Sequence, residues 1–366
     1  MSRVLASSTR ARRFVLTLIA VMVVSAALAR MGIPPLWGPS VHRAVTAEMA
    51  RLKIPGLSVA VAANGKLRWS TGYGLADVEN QVAARPDTIY RWASISKPVT
   101  AVAVMQLAEQ GKIDLDAPIQ TYLPTFPTKP WPITPRQLLA HLGGIRHYKG
   151  DERDSTRRYA RFRDAFEVFQ NNPLVCEPGT KHSYSTYGYN LLGGIVEDAA
   201  GEPFIGYLRD HIFRPAGMTH VRADAVEALI PHRARGYVKS SSGELKNSRL
   251  ANLSNKTPGG GLCGTADDAV RFALALQSGK LLSRATRESL WTRQKTRDGR
   301  SIDYGLGWCL SKRNGRREVW HSGHTTQSST LLYMLPDQKF AIALMANLED
   351  APLIELARKI AAIAAP

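Results

Sequence analysis

The chain has 366 residues, 44% of them hydrophobic and 21% charged, which is the composition of an ordinary globular protein with a sizeable core. Its formal net charge is +18, yet no zinc-finger spacing or aromatic-rich basic module accompanies that charge, so a nucleic-acid partner is excluded in favour of a solvated basic surface or attraction to an anionic envelope. Three cysteines, Cys176, Cys263 and Cys309, allow at most one intramolecular disulfide and offer no metal-ligand spacing; they read as buried, inert thiols.

In chain order, Arg3, Arg10, Arg12 and Arg13 precede an uncharged apolar run from Phe14 to Ala29 that ends in Ala27-Leu28-Ala29. Residues 1–29 therefore read as a secretory signal or a membrane anchor, and the protein as exported, periplasmic or extracytoplasmic. A helical pattern follows from Val41 to Leu52, then two strands, Leu57 to Ala62 and Leu67 to Tyr73, around the hairpin signal Asn64-Gly65. Ser94 comes next, at the head of an apolar helix closed near Gly111. The stretch from Asp114 to Pro135 carries six prolines and reads as a crossing between regions. Beyond it, signals are mostly helical to about Ala225, including Tyr187 to Ala200 ahead of Gly201. Gly259-Gly260-Gly261 reads as a tight loop, Ala266 to Leu276 as a helix capped by Asp267-Asp268, and Ser328 to Leu335 and Phe340 to Ala346 as strands around Pro336-Asp337-Gln338-Lys339. A last helix runs from about Pro352 to Ala364. Early strands, a helical middle and late strands predict an α+β fold. Its antiparallel sheet comes from about 40–115 and 259–366, with a mostly helical insert at about 116–258.

Chemistry concentrates on Ser94-Ile95-Ser96-Lys97. Positions i and i+3 share a helix face, so Lys97 can reach the Ser94 hydroxyl, and Pro98 fits only a first helical turn, which sets Ser94 at the positive end of the helix. Lys97 is expected to be desolvated and to act as a neutral base. Tyr184 precedes the next helix and is a candidate proton shuttle, provided that a cation such as Lys97 holds its pKa below the usual ten. Trp320-His321-Ser322-Gly323-His324 ends a late strand, where glycine lets the strand edge approach a substrate. His141 and His147 read as hydrogen-bonding loop residues.

Taken together, Ser94-x-x-Lys97, Tyr184-Ser185-Thr186 and His321-Ser322-Gly323 resemble the ordered motifs of the serine β-lactamase and penicillin-binding-protein superfamily, in its class C-like branch. The Tyr-Ser-Thr form is most similar to the mitochondrial β-lactamase-like members and to bacterial esterase or peptidase relatives. The resemblance implies a serine hydrolase in which Ser94 is acylated, Lys97 and Tyr184 move the proton, and the amides of Ser94 and His324 form an oxyanion hole. His321 would contact Tyr184 or a substrate carboxylate with a charge that changes near neutral pH, while Thr186, Ser322 and Gly323 would line the substrate. It implies no metal and no organic cofactor, and a small-molecule or peptide substrate that is an ester, an amide or a D-amino-acid peptide. Thr186 and His321 stand where well-known lactamases carry Asn and Lys, which argues against efficient antibiotic hydrolysis. A non-catalytic receptor or filament-forming scaffold of the same fold is the alternative, and the oligomeric state stays open.

Overall fold

The computed structural model describes residues 35–365. The apolar run of residues 1–29 lies outside them. Seven strands form the main sheet. They are β1 (Gly56–Ala63), β2 (Lys66–Asp77), β3 (Val82–Ala83), β9 (Cys309–Arg313), β10 (Arg316–Thr325), β11 (Ser328–Leu335) and β12 (Phe340–Ala346), in the order β3-β2-β1-β12-β11-β10-β9. β1 pairs antiparallel with β12 from Leu57 opposite Ala346, so strands from both ends of the chain meet at the centre of one sheet. Between them in sequence come a three-stranded sheet of β4 (Tyr90–Arg91), β8 (Leu262–Gly264) and β5 (Arg222–Ala223), and a two-stranded ribbon of β6 (Tyr237–Lys239) and β7 (Leu245–Asn247).

The central strands are buried on both faces, and their residues alternate between two cores because side chains alternate across a strand. Leu57, Val59 and Val61 with Ile342 and Leu344 pack under α1 (Gly38–Leu52) and the last helix, α6 (Ile354–Ala364). Ala60, Ala62, Ala343 and Met345 face the opposite core, which contains α2 (Ser96–Glu109), α3 (Thr186–Ala200) and α5 (Ala266–Gln277). Asn64 and Gly65 turn the first hairpin with φ of 54° and 71°, the pair of left-handed residues that a two-residue turn between twisted strands requires. α5 starts with a capping box between Thr265 and Asp268, so one of the expected acidic pair caps this helix, while Asp267 accepts a hydrogen bond from Ser70 of β2.

The middle of the chain departs from its mostly helical reading. From 140 to 185 it holds only 3₁₀ turns, Gly150–Asp154 and Phe162–Val168, because backbone groups pair across the loop: Val175 N–H with Gly144, Gly179 N–H with Leu142 and Ser183 N–H with His141. The polar stretch after Arg235 forms β6 and β7, and the glycine loop begins as a short helical turn, α4 (Thr257–Gly260).

One buried ion pair ties α6 to the sheet. Glu318 on β10 is 2% exposed and accepts hydrogen bonds from Arg358 (2.7 and 3.1 Å), Ser311 (2.6 Å) and Tyr333 (2.9 Å). Burial disfavours its charge, but the bonds from Arg358, Ser311 and Tyr333 outweigh it and hold the carboxyl below its ordinary value. Arg358→Met should cost about 3 kcal/mol in a urea melt at neutral pH, since it strands a buried carboxylate. A depressed pKa adds stability above the unfolded value that is lost as pH falls through the folded one. The difference between parent and variant should therefore shrink in acid; a constant difference would contradict this account.

Candidate active site

Ser94 lies in a 3₁₀ turn, Ala93–Ile95, that runs directly into α2. The expected helix start is thus displaced by two residues, and the reason is local. Ala93 takes a left-handed φ of 49°, and Ser96 Oγ donates to the Ala93 carbonyl at 2.7 Å while accepting from the Leu262 amide of β8 at 3.2 Å. Trp92, fully buried, anchors the other side: its N–H donates to Leu262, and its carbonyl accepts from Thr330 Oγ1 at 2.9 Å. The serine is held on a tight corner, half-buried, with its amide in the first turn where no intrahelical carbonyl is available.

Lys97 points from α2 into the protein and is fully buried. Its Nζ lies 3.0 Å from Ser94 Oγ, 3.1 Å from Thr186 Oγ1 and 2.6 Å from the Gly259 carbonyl. Burial, and then the neighbouring charge of Lys256, hold its pKa well below the ordinary lysine value, which favours the neutral amine, the direction expected of a base. A neutral amine has two N–H groups and one lone pair. Gly259 takes one N–H, Thr186 can take the other, and the lone pair is left for the Ser94 proton. The Gly259 carbonyl is placed by two neighbours: Thr100 Oγ1 donates to the Pro258 carbonyl at 2.7 Å, and Asn190 Nδ2 to that of Asn255 at 2.7 Å. Only glycine fits at 259, since a Cβ there would lie 2.6 Å from Thr186 Cγ2.

Tyr184 donates to Ser94 Oγ at 2.8 Å from the end of the loop preceding α3. The structure reverses the expected direction of its pKa. Burial pushes the phenol up, and the bond to Ser94 opposes this only in part; Lys97 lies over the ring face, 4.7 Å from its centroid, rather than beside the hydroxyl. Tyr184 is therefore a neutral O–H donor. His141 packs on it with ring centroids 4.2 Å apart and accepts from the Ser185 amide at 3.1 Å; His147 accepts from the Thr186 amide at 3.2 Å. Both are the loop-bonding histidines that the sequence suggested, though His147 also lines the cavity.

The remaining expected residues are rearranged in detail. His321 is buried, with burial followed by Lys97 lowering its pKa to about 3, so it stays neutral near pH 7 instead of titrating there. Its Nδ1 donates to the Ser322 carbonyl at 2.7 Å, which fixes the tautomer and makes Nε2 the acceptor for the Tyr304 hydroxyl at 3.0 Å. It meets Tyr184 only ring to ring, 6.4 Å apart. Thr186 is 2% exposed and bonded to Lys97, so its hydroxyl holds the lysine more than a substrate. Gly323 is needed for packing behind the strand: a Cβ would lie 2.3 Å from Thr330 Oγ1 and 2.4 Å from the Trp92 carbonyl. Ser322 and His324 do line the cavity beside Ser94. Only Cys263 is fully buried; all three thiols are free, and Cys309, at the cavity wall, is pushed up to about 12 by burial.

These groups face a cavity of about 390 Å³ that is lined by Ser94, Tyr184, Trp320 and His324 together with Arg153 and Lys256. Larger recesses elsewhere contain none of this constellation. Sequence reasoning missed Tyr148, Arg153 and Lys256, and noted the Tyr304-Gly305-Leu306-Gly307-Trp308 stretch only as a weak companion of the motifs, with no role for its tyrosine. A lysine directly before Thr257-Pro258-Gly259-Gly260 was the one visible hint, because a glycine turn lets neighbouring backbone approach closely. Among the described residues no cluster of His, Cys, Asp and Glu could hold a metal ion.

A serine whose oxygen is bonded to a buried lysine and a tyrosine, on the 3₁₀ turn that leads into a core helix beside an antiparallel strand, defines a serine hydrolase of the β-lactamase type. The sequence matches the Beta-lactamase family over residues 41–365, and the chain belongs to that family of β-lactamase-like serine hydrolases. It is 30% identical to the mitochondrial serine beta-lactamase-like protein LACTB of Homo sapiens, over 78% of this chain and 69% of that protein. It is 29% identical to Protein flp of Staphylococcus aureus (strain MW2), over 83% of this chain and 61% of flp. In fold it is similar to an octameric penicillin-binding protein homologue from Pyrococcus abyssi, with TM-score 0.78 and 24% identity over 89% of this chain and 76% of that one. It is similar also to D-amino acid amidase from Ochrobactrum anthropi SV3, with TM-score 0.77 and 22% identity over 90% and 97%.

Proposed function

We propose that the protein hydrolyses an ester, an amide or a D-amino-acid peptide through an acyl-enzyme on Ser94. The observation that carries this reading is the convergence of Lys97 Nζ (3.0 Å) and Tyr184 Oη (2.8 Å) on one serine oxygen. In the first step Ser94 Oγ bonds to the substrate carbonyl carbon as its proton passes to the Lys97 lone pair. The carbonyl oxygen takes the negative charge against the amides of Ser94 and His324. The carbonyl then reforms, the bond to the leaving group breaks, and Tyr184 supplies its proton to that group, regaining one from Lys97. Water repeats the sequence on the acyl-enzyme and releases the acid, so one substrate and one water give one acid and one alcohol or amine.

The solved D-amino acid amidase supports an amide or D-amino-acid substrate only through its likeness of fold. The neutral His321 supports slow acylation by penicillins, since the strand offers no fixed cation to their carboxylate. The basic run ahead of the apolar stretch at 14–29 supports export, and the net charge of +18 supports a position against an anionic surface. Among the described residues no helix is long and apolar enough to cross a membrane. Turnover of a short-chain aryl ester, a D-amino-acid amide and a penicillin, measured for the parent and for Ser94→Ala, tests the reading. Hydrolysis of at least one, lost in Ser94→Ala, is expected; hydrolysis that survives the substitution would refute it. Silence with all three in a folded protein would favour the receptor or scaffold.

A further inference from the structure

Positive charge on the cavity wall comes from two neighbouring side chains, linked by the bond from Lys256 Nζ to the Arg153 carbonyl. Arg153 and Lys256 line the cavity, and among the described residues no Asp or Glu does. Its histidines do not add to that charge, since burial lowers the pKa values of His147, His182, His321 and His324 alike.

Lys256 is an unusual residue to find there. It is 2% exposed, its Nζ donates to the Arg153 carbonyl, and it lies 4.9 Å from the centroid of the Tyr148 ring. A carbonyl and a ring face stabilise an ammonium group but do not neutralise it. Arg153 is better served: Nε and one terminal nitrogen donate to Asp154 at 3.1 and 3.3 Å. Asp154 in turn accepts from Thr326 Oγ1 at 2.6 Å. Arg153 also feels Asp350 and Glu349, whereas the described residues give Lys256 no carboxylate within ion-pair distance and only the field of Asp154, and a buried charge without a partner is costly until one arrives. Burial acts on Lys256 accordingly, lowering its pKa to about 7.

The position of this pair relative to the reacting atoms gives its meaning. Tyr184 is the acid, so the leaving group departs on its side, where His182, Tyr304 and His321 surround it. Toward the other end of the same strand and its turn, five residues beyond His321, Thr326 Oγ1 donates to Asp154 at 2.6 Å, which sets Arg153 near His324, and Lys256 joins them through the Arg153 carbonyl while lying 4.9 Å from the Tyr148 ring. The strand edge at His324 and the wall formed by Tyr148, Arg153 and Lys256 therefore flank the part of the substrate that stays on the enzyme.

We propose that this part, the acyl group, carries a carboxylate, and that Arg153 and Lys256 recognise it. The inference rests on the acyl-enzyme reading and narrows it to acid-bearing acyl donors. Binding restores the missing partner: the carboxylate faces the open edge of the Arg153 guanidinium and the Lys256 ammonium, both charge-assisted donors. It also divides recognition between two walls, with the anion held on the loop side and the strand residue His321 left uncharged.

Three p-nitrophenyl-type esters test the assignment: the neutral butyrate, the hemiglutarate with its carboxylate on the acyl chain, and the butyrate of a carboxylated phenol with the charge on the leaving group. The parent should turn over the hemiglutarate with kcat/KM at least about tenfold above the butyrate. The charged leaving group should give no such gain. Arg153→Gln and Lys256→Met should each bring the hemiglutarate-to-butyrate ratio toward one, mainly through KM. Should Lys256→Met fail to fold, Arg153→Gln, at a half-exposed position, carries the test. A parent ratio of one or below, or a ratio unchanged in the variants, would overturn the proposal while butyrate turnover leaves the hydrolase reading standing. Turnover of all three esters that persists in Ser94→Ala would overturn both.

Discussion

Replacing Lys97 by methionine should lower kcat/KM by about 10³-fold while the protein still folds, because it removes the only basic lone pair within bonding distance of Ser94 among the described residues. The replacement also relieves the cost of a buried amine, so thermal stability should not fall in step with activity. Lys97→Arg separates the two roles a lysine can have. Arginine keeps a positive charge but stays protonated, and it should be as inactive as methionine if the amine acts as a base. The pH profile follows from the same observation. Burial first, and the charge of Lys256 second, depress the Lys97 pKa, and only the unprotonated amine accepts a proton. Activity should therefore be present above that depressed value and fall as pH drops through it, with the acid limb far below the ordinary lysine range. A kcat/KM that climbs only near pH 10, or an active arginine variant, would show that Lys97 is not the base.

Tyr184→Phe should cost about 10²- to 10³-fold on an amide or alkyl ester and much less on a nitrophenyl ester. The expected difference comes from the leaving group. An amine or alkoxide must take a proton as it departs, whereas a nitrophenolate needs none. Phenylalanine keeps the ring that packs on His141 and under Lys97, so the hydroxyl at 2.8 Å from Ser94 is the one group removed. Burial keeps that hydroxyl protonated throughout the neutral range, which suits an acid. Equal losses on both substrate types would instead make Tyr184 a part of Ser94 activation.

How far the sequence led can be judged residue by residue. The Asn64-Gly65 turn, the Ser328 to Leu335 and Phe340 to Ala346 pair and the Gly201 helix stop were legible because each depends on neighbours along the chain. Ser94, Lys97 and Tyr184 were legible as a set because spacing on one helix and the order of three motifs survive without coordinates. What escaped depends on burial, which no local pattern encodes. The phenol of Tyr184 was expected to be lowered by a nearby cation, yet Lys97 lies over its ring face and desolvation decides. His321 was expected to titrate near neutrality, but it is enclosed by Tyr304 and the Ser322 carbonyl. Gly323 looked like a point of substrate approach and is instead the contact through which β10 passes the Trp92 carbonyl. Lys256 is remote in sequence from every motif residue except the glycines after it. Its place depends on tertiary contacts with the Arg153 carbonyl and the Tyr148 ring, about a hundred residues earlier in the chain.

Ser94 Oγ is the atom that becomes acylated in the proposed reaction. The most direct measurement is intact-protein and peptide mass spectrometry after exposure to a p-nitrophenyl phosphonate, a tetrahedral trap that forms the covalent adduct without a ready hydrolytic exit. One phosphonyl group per chain is expected, on the peptide containing Ser94, with ester hydrolysis lost in proportion to labelling and neither labelling nor hydrolysis in Ser94→Ala. Hydrolysis that continues after complete labelling, or a label that falls on another residue and persists in Ser94→Ala, would contradict it.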